Sequence, residues 1–166
     1  MIKHKEQRVG VFVDVQNLYY SAKALFSAKV NFKEVLKEAV AGRKLIHALA
    51  YVVKTDIYEK EKEFFNALSN FGFEVRSKDL QIFVGGAKKG NWDVGLTVDA
   101  IELAPKLDVV VLVSGDGDFI SLIEHLKHAQ SCFVEVMAFR KSTSGALIEA
   151  ADGFTDLSLK KFLISK

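Results

Sequence analysis

The chain has 166 residues, of which 49% are hydrophobic and 27% are charged, and its net charge is +2. At roughly 150 residues per domain, this length predicts a single domain over residues 1–166, and the composition excludes a disordered chain. Such a small net charge does not by itself indicate a nucleic-acid binder, and the single cysteine, Cys132, excludes an internal disulfide and a zinc site built from cysteine pairs. No apolar run approaches the roughly 20 residues that cross a bilayer, and the start MIKHKEQR lacks the apolar stretch of a secretion signal, so we expect a cytoplasmic protein without a membrane partner.

The first half of the chain alternates between predicted strands and helices. The β-branched run RVGVFVD predicts a buried strand that ends at Asp14. Two helices follow, of which the second has Asn31 as its N-cap and Gly42 as its stop. KLIHALAYVV predicts the second strand, IYEKEKEFFNALSNFG an amphipathic helix, and FEVRSKDLQIF a third strand or a strand followed by a bend.

The second half continues this alternation. The glycines and lysines of VGGAKKGN predict a flexible loop, which leads into the helix NWDVGLTVDAIELA, closed by Pro105. LDVVVLVS is the clearest buried strand, ISLIEHLKHAQ a helix, CFVEVMAF a fifth strand, and ALIEAAD a short helix. The alternation predicts a three-layer, Rossmann-like α/β fold, with a parallel sheet of about five strands in the order 3-2-1-4-5 and helices on both faces.

Aspartates occur where such a sheet binds ligands. In the order 3-2-1-4-5 the carboxyl ends of strands one and four open into one crevice, because the chain reverses direction between them. Asp14 ends strand one, and Asp116 and Asp118 follow strand four. Asp93 and Asp99 lie on the helix that leads into strand four, with Asp99 on its predicted packed side. A strand end or a helix cap explains any one of these acids equally well, but the five together indicate a cation site.

The acids favour a hard cation over the other ligands considered. Oxygen ligands suit Mg²⁺ or Mn²⁺, and no P-loop ending or complete dinucleotide fingerprint is present. An aspartyl-phosphate hydrolase of the haloacid dehalogenase type is a weaker alternative, because Gln16 occupies the position of its second acid. Tyr19, Tyr20 and Trp92 are close to the acids in sequence and could stack on bases, although we expect them to pack in the core.

Three segments, FVDVQNLYY, KGNWDVGLTVD and VVLVSGDGDF, together resemble the NYN domain, a PIN-like nuclease family, in particular its LabA-like bacterial branch. The similarity runs from about Arg8 to the closing ADGFTDL, a core of about residues 8–157. Trp92 departs from the usual pattern, which has a small aliphatic residue before Asp93. The resemblance implies a PIN-like fold and a divalent-metal-dependent ribonuclease site. The acids that it implies for metal binding and catalysis are Asp14, Asp93 and Asp116 as first choices, and Asp99 and Asp118 as second choices.

The predicted function is therefore hydrolysis of RNA phosphodiester bonds with Mg²⁺ or Mn²⁺ as cofactor. The predicted partner is RNA, single-stranded or structured, and a homodimer or a protein partner is left open. The alternative is a non-catalytic PIN-like regulatory module that binds RNA or protein, although the complete set of acids favours the enzyme. The candidate substrate-binding residues are Asn17, Ser114, Lys88, Lys89, Arg140 and Lys141. For the four cations, a solvated surface is an equally good explanation.

Overall fold

In the part of the chain that the structure describes, six parallel strands form the central sheet and six α-helices surround it. The computed structural model describes residues 2–54, 58–86 and 88–165, with the backbone alone at 58, 59, 81, 82, 88 and 89. The strands are β1 (Arg8–Asp14), β2 (Ala28–Val30), β3 (Lys44–Lys54), β4 (Glu74–Asp79), β5 (Gln81–Ile82), β6 (Lys88–Lys89), β7 (Val109–Val113), β8 (Phe133–Ala138), β9 (Gly153–Asp156) and β10 (Leu163–Ser165). The helices are α1 (Val15–Phe26), α2 (Phe32–Val40), α3 (Tyr58–Phe71), α4 (Asp93–Leu103), α5 (Ile120–His128) and α6 (Gly145–Ala150).

The sheet has the order β4-β3-β1-β7-β8-β9, and each neighbouring pair is parallel. The predicted order of five strands is confirmed, and β9 adds a sixth strand beyond the fifth. The central strands β1, β7 and β8 are almost entirely buried, and their buried residues are apolar apart from Glu135 of β8. Buried runs of this kind are typical of strands that have a helix layer on each face.

One helix layer covers each face of the sheet. On one face, Leu18 of α1 and Val35 of α2 join the same buried cluster as the valines of β1. On the other, Leu96 of α4 and Ile123 of α5 pack in a second cluster with Phe12 of β1. The three-layer α/β architecture confirms the predicted fold class. It brings the carboxyl ends of all the central strands to one rim of the sheet.

Short segments account for the differences from the sequence prediction. Gly153–Asp156, which forms β9, is half-buried along its whole length and lacks the apolar run of the central strands. Leu163–Ser165 pairs antiparallel with β2 as β10. The prediction of a flexible loop is wrong at Lys88–Lys89, which forms β6 and pairs with β5. Strands of two to four residues have too few side chains to establish a period, so the sequence does not reveal them.

The helix boundaries follow from local chemistry. The side chain of Asn31 accepts the backbone N–H of Glu34 at 3.3 Å, which confirms Asn31 as the N-cap of α2. α2 ends before Gly42, because Ala41 already adopts a left-handed conformation with φ of 48°. Pro105 lies in a 3₁₀ turn directly after α4. Among the described residues, no helix is both long and apolar enough to cross a membrane.

Candidate metal centre

The candidate site lies between β1 and β7, where the strand order reverses. Val13 of β1 is paired with Val113 of β7, so Asp14 and Ser114 leave the sheet side by side. α4 begins at Asp93, whose charge acts on Asp14. Acids from the end of β1, the start of α4 and the loop after β7 therefore meet at the predicted switch point.

Asp14 ends β1 and caps the N-terminus of α1. Its Oδ1 accepts the backbone N–H of Asn17 at 3.3 Å, and its Oδ2 accepts the hydroxyl of Ser114 at 3.1 Å. Burial raises the pKa of Asp14 to about 6, the charges of Asp93 and Asp116 act in the same direction, and the two hydrogen bonds oppose them. The effect of burial is the largest, so the fold holds this carboxyl group where ionisation is costly.

The loop after β7 is held by polar contacts from β1 and α1. Ser114 is fully buried, and its hydroxyl accepts the backbone N–H of Asp116 at 3.2 Å while it donates to Asp14. The side-chain oxygen of Asn17 accepts the backbone N–H of Gly115 at 3.0 Å. Asn17 and Ser114, two of the predicted substrate-binding residues, therefore make hydrogen bonds within the protein that position the acids.

Three carboxylates form the closest group. Asp93 begins α4, and Asp116 caps the 3₁₀ turn Gly117–Phe119 by accepting the backbone N–H of Asp118 at 2.9 Å. One carboxylate oxygen each from Asp93, Asp116 and Asp118 lies within 4.8 Å of the other two. Burial raises the pKa of Asp93, the charges of Asp116 and Asp118 raise it further, and Lys78 opposes them. Asp118, a second choice in the sequence prediction, takes the third place in this group, and Asp14 lies beside it.

The donor set fits a hard divalent cation. It consists of carboxylate oxygens, the ligands that Mg²⁺ and Mn²⁺ prefer. Within the described residues, these three acids are the one set of acid, histidine or cysteine side chains close enough together to hold an ion. A bound cation would offset the mutual repulsion that raises the pKa of Asp93.

Asp99 has a different set of contacts. Its Oδ2 accepts the hydroxyl of Tyr51 at 2.8 Å, and Nε of Arg76 lies 3.4 Å from the same oxygen. Tyr51 is buried on β3, and burial together with the Asp99 hydrogen bond raises the pKa of its hydroxyl. The Tyr51 hydroxyl explains why an acid stands on the packed side of α4. The structure brings Asp14, Asp93, Asp116 and Asp118 together and leaves Asp99 with these other partners.

Trp92 is half-buried directly before α4. Its Nε1 donates to the carbonyl of Val52 at 2.8 Å, and its ring centroid lies 5.4 Å from that of Tyr51. Nζ of Lys78 lies 4.8 Å from the centroid of the Trp92 ring and donates to the carbonyl of Asn91. These contacts fix the segment that enters α4. No sequence signal points to Lys78, because only the pairing of β4 with β3 brings it to the site.

The prediction that Tyr19 and Tyr20 pack in the core is wrong. Their exposed fractions are 46% and 58%. α1 instead buries Val15, Leu18 and Ala22, the residues that follow the helical period on its inner face. The two tyrosines therefore present their rings to solvent about one and a half helical turns after Asp14, the cap of α1.

The predicted phosphate-binding cations differ in their surroundings. Arg140 and Lys141 are exposed in a 3₁₀ turn after β8, and Nε of Arg140 lies 4.0 Å from Asp156. The side chains of Lys88 and Lys89 lie outside the described part of the chain, although their backbone forms β6.

This chain is similar in sequence to a curated protein and in sequence and structure to a solved protein. The low amplitude and bright protein LabA of Synechococcus elongatus is 26% identical over 173 residues, which cover 98% of this chain and 90% of that protein. The crystal structure of a protein of unknown function from Vibrio parahaemolyticus is 36% identical and has a TM-score of 0.89, with 99% of this chain and 100% of that chain covered. The family model of the NYN domain matches residues 8–159. Since this match spans most of the sequence and carries the predicted motifs, the chain belongs to the NYN domain family, with LabA among its relatives.

Proposed function

We propose that this protein hydrolyses RNA phosphodiester bonds with a divalent cation, Mg²⁺ or Mn²⁺, bound by Asp93, Asp116 and Asp118 next to Asp14. The observation that carries the proposal is the set of three carboxylate oxygens within 4.8 Å of one another. It occurs at the switch point of a chain that belongs to the NYN domain family, which supports a PIN-like nuclease. In this proposal, residues 1–166 form a single NYN domain.

When bound, the cation supplies Lewis-acid chemistry, by which a phosphate is polarised and the pKa of an attacking water is lowered. The residues of the chain provide the positions. Ser114 ties Asp14 to the loop of Asp116, and Asn17 ties α1 to the same loop. The acids are thus held in place before a substrate arrives, which avoids the cost of reorganising them during the reaction. Lys141, exposed at the same rim, is a candidate contact for a neighbouring phosphate.

The test is cleavage of an end-labelled single-stranded RNA, measured with Mg²⁺, Mn²⁺, Zn²⁺ or excess chelator. We expect cleavage with Mg²⁺ or Mn²⁺, much less with Zn²⁺, and none in chelator. Asp93→Asn and Asp116→Asn each remove a ligand charge and are expected to lower the rate by about 100-fold or more, because a metal ion stabilises the transition state by several kcal/mol.

Glu102→Gln is the matched control. Glu102 is an exposed acid of α4 outside the acidic group, so its neutralisation should leave the rate unchanged. Cleavage that persists undiminished in excess chelator would contradict the mechanism. Binding of RNA without cleavage under any metal would indicate the alternative, a non-catalytic PIN-like module.

A further inference from the structure

We propose that Tyr19 and Tyr20 form a stacking platform for the unpaired bases of an RNA strand that reaches the acidic group. This inference rests on the proposed function, and it names the substrate class as single-stranded RNA. The platform is the outward face of α1 that carries Tyr19, Tyr20 and Lys23.

The two rings are open to a ligand. About half of each side chain is exposed, 46% for Tyr19 and 58% for Tyr20. The ring centroids are 5.4 Å apart and the planes are inclined by 80°, so the edge of one ring meets a face of the other, and each ring keeps at least one face that the pair itself does not cover. Nζ of Lys23 lies 6.0 Å from the centroid of the Tyr19 ring, which places a cation beside the pair.

The platform adjoins the acidic group through α1. The helix starts at its cap, Asp14, and Tyr20 follows Asn17 by three residues, a rise of roughly 4.5 Å along the axis. Because Cβ atoms in a helix are tilted toward its N-terminus, the tyrosine side chains lean toward the acid end of α1. Asn17 itself holds the loop of Asp116 through the N–H of Gly115. A strand lying on the tyrosines is therefore within a few nucleotides of the proposed metal.

A basic turn adjoins the platform on a second side. The hydroxyls of Ser21 and Ser142 are 3.1 Å apart, which joins α1 to the 3₁₀ turn Arg140–Ser142. The Arg140 guanidinium lies over the ring of Phe154 on β9, so the exposed Lys141 is the cation that this turn offers. The surface thus presents ring faces on a helix that is joined both to the loop of Asp116 and to a basic turn. This is the combination that binds single strands: cations contact the phosphates while bases stack on aromatic faces without regard to their identity. A duplex already stacks its bases internally, so it has none to offer to the tyrosines.

The test is equilibrium binding of a labelled eight-nucleotide single-stranded RNA, measured by fluorescence anisotropy in chelator so that no cleavage occurs. Stacking of one base on an aromatic side chain typically strengthens binding by about 5-fold or more. We expect Tyr19→Ala and Tyr20→Ala each to weaken binding by at least about 5-fold, and Tyr19→Phe and Tyr20→Phe, which keep the ring, to bind like the wild type.

Two controls separate stacking from other losses. Phe133→Ala removes an exposed aromatic ring at the amino end of the sheet, 48% exposed, and should not change the affinity. An abasic ribose-phosphate oligomer of the same length should bind equally to the wild type and to both alanine variants. Thermal melts establish that each variant is folded.

The platform is refuted if both alanine variants bind the RNA as tightly as the wild type, if they lose the same affinity for the abasic oligomer, or if the wild type binds no single strand. A protein partner for the tyrosines becomes the better explanation in those cases. These outcomes are distinct from the fate of the nuclease. If the wild type cleaves RNA with Mn²⁺ but the alanine variants bind as tightly as it does, the proposed function stands and the platform does not. If the alanine variants bind more weakly but the wild type does not cleave, the platform stands and the nuclease does not.

Discussion

The two ends of the central sheet place carboxylates in opposite electrostatic settings. At the amino end, Asp108 precedes β7 and accepts two hydrogen bonds from the Arg8 guanidinium, at 3.0 and 3.1 Å. These bonds hold the pKa of Asp108 below its ordinary value. At the carboxyl end, burial and neighbouring acids raise the pKa of Asp14 to about 6 and also raise that of Asp93.

A second pair on the amino side is buried. Glu135 of β8 accepts two hydrogen bonds from Arg43, at 2.8 and 3.1 Å. The remaining donors of that guanidinium reach the carbonyls of Ala39 and Val40 and the side-chain oxygen of Gln7. In these two pairs an arginine with matched geometry offsets the charge of the acid. The three-acid group at the other end has the charge of Lys78 nearby, which opposes the raised pKa of Asp93 without reversing it. This contrast supports the proposal that the three-acid group binds a cation.

The largest expected effect on stability concerns the buried Arg43–Glu135 pair at the amino end of the sheet. Glu135→Gln leaves the Arg43 charge buried without its carboxylate, and we expect the free energy of unfolding to fall by about 3 to 5 kcal/mol. Urea denaturation measures this loss. The double replacement Arg43→Met with Glu135→Leu removes both charges and should recover most of it, because an apolar pair of similar volume avoids the desolvation cost.

Asp108→Asn is the matched control for that measurement. It breaks the same kind of pair, but the side chains of Arg8 and Asp108 are 47% and 40% exposed, and water stabilises the charge that remains. The expected loss is about 1 kcal/mol or less. If Glu135→Gln lowers the free energy of unfolding by no more than Asp108→Asn does, then the buried pair contributes no more to stability than the exposed pair.

The sequence predicts the scaffold of the site better than its polar details. Asp14 and Asp116 each follow a long apolar run, so the strand order alone places them at one crevice. Which acids approach most closely depends on local turn geometry: Asp116 caps the 3₁₀ turn through the N–H of Asp118 and so brings that residue into the group. Neither the run nor the spacing contains this information.

Tertiary packing explains the remaining differences. Asp99 meets Tyr51 across 48 positions of the chain, and nothing near either residue marks the pair. Burial of Tyr19 and Tyr20 was the expectation for large aromatic side chains, yet small and aliphatic residues already fill the inner face of α1. A helix has room for one buried stripe, and residues beside that stripe stay exposed whatever their hydrophobicity.

The pH dependence of stability tests the carboxyl end of the sheet, where Asp14 has no cationic partner among its hydrogen bonds to the described residues. The pKa of Asp14 is about 6 in the folded protein, above the roughly 3.9 of an unfolded chain, so the native state binds more protons between these values. Stability is therefore greatest below about pH 4 as far as this group is concerned, and it falls as the pH rises to about 6, by at most about 3 kcal/mol. Urea midpoints in chelator between pH 4.5 and 7 should show this decline, and Asp14→Asn should flatten it. Asp108, whose pKa is lowered, titrates below this window, so Asp108→Asn should keep the wild-type slope. An unchanged slope in Asp14→Asn would mean that the buried carboxyl group is not a source of strain.

The smallest expected effect is a gain in stability, which we expect for Asp116→Asn in the absence of metal. Asp116→Asn keeps an oxygen that can accept the N–H of Asp118, but it removes a charge that raises the pKa of both Asp14 and Asp93. Without metal, we expect the variant to be more stable than the wild type by about 1 kcal/mol, which raises the melting temperature by about 2 to 4 °C in a chain of this size. Excess Mn²⁺ should reverse the order, since an ion that binds only the folded state stabilises it by mass action and the wild type offers the complete set of ligands. Thermal melts of both proteins, in chelator and in Mn²⁺, measure the difference, with Glu102→Gln as the control for simple loss of an acid. An Asp116→Asn protein that melts below the wild type in chelator would make this residue a structural cap, and the contrast between the two ends of the sheet would then depend on Asp14 and Asp93 alone.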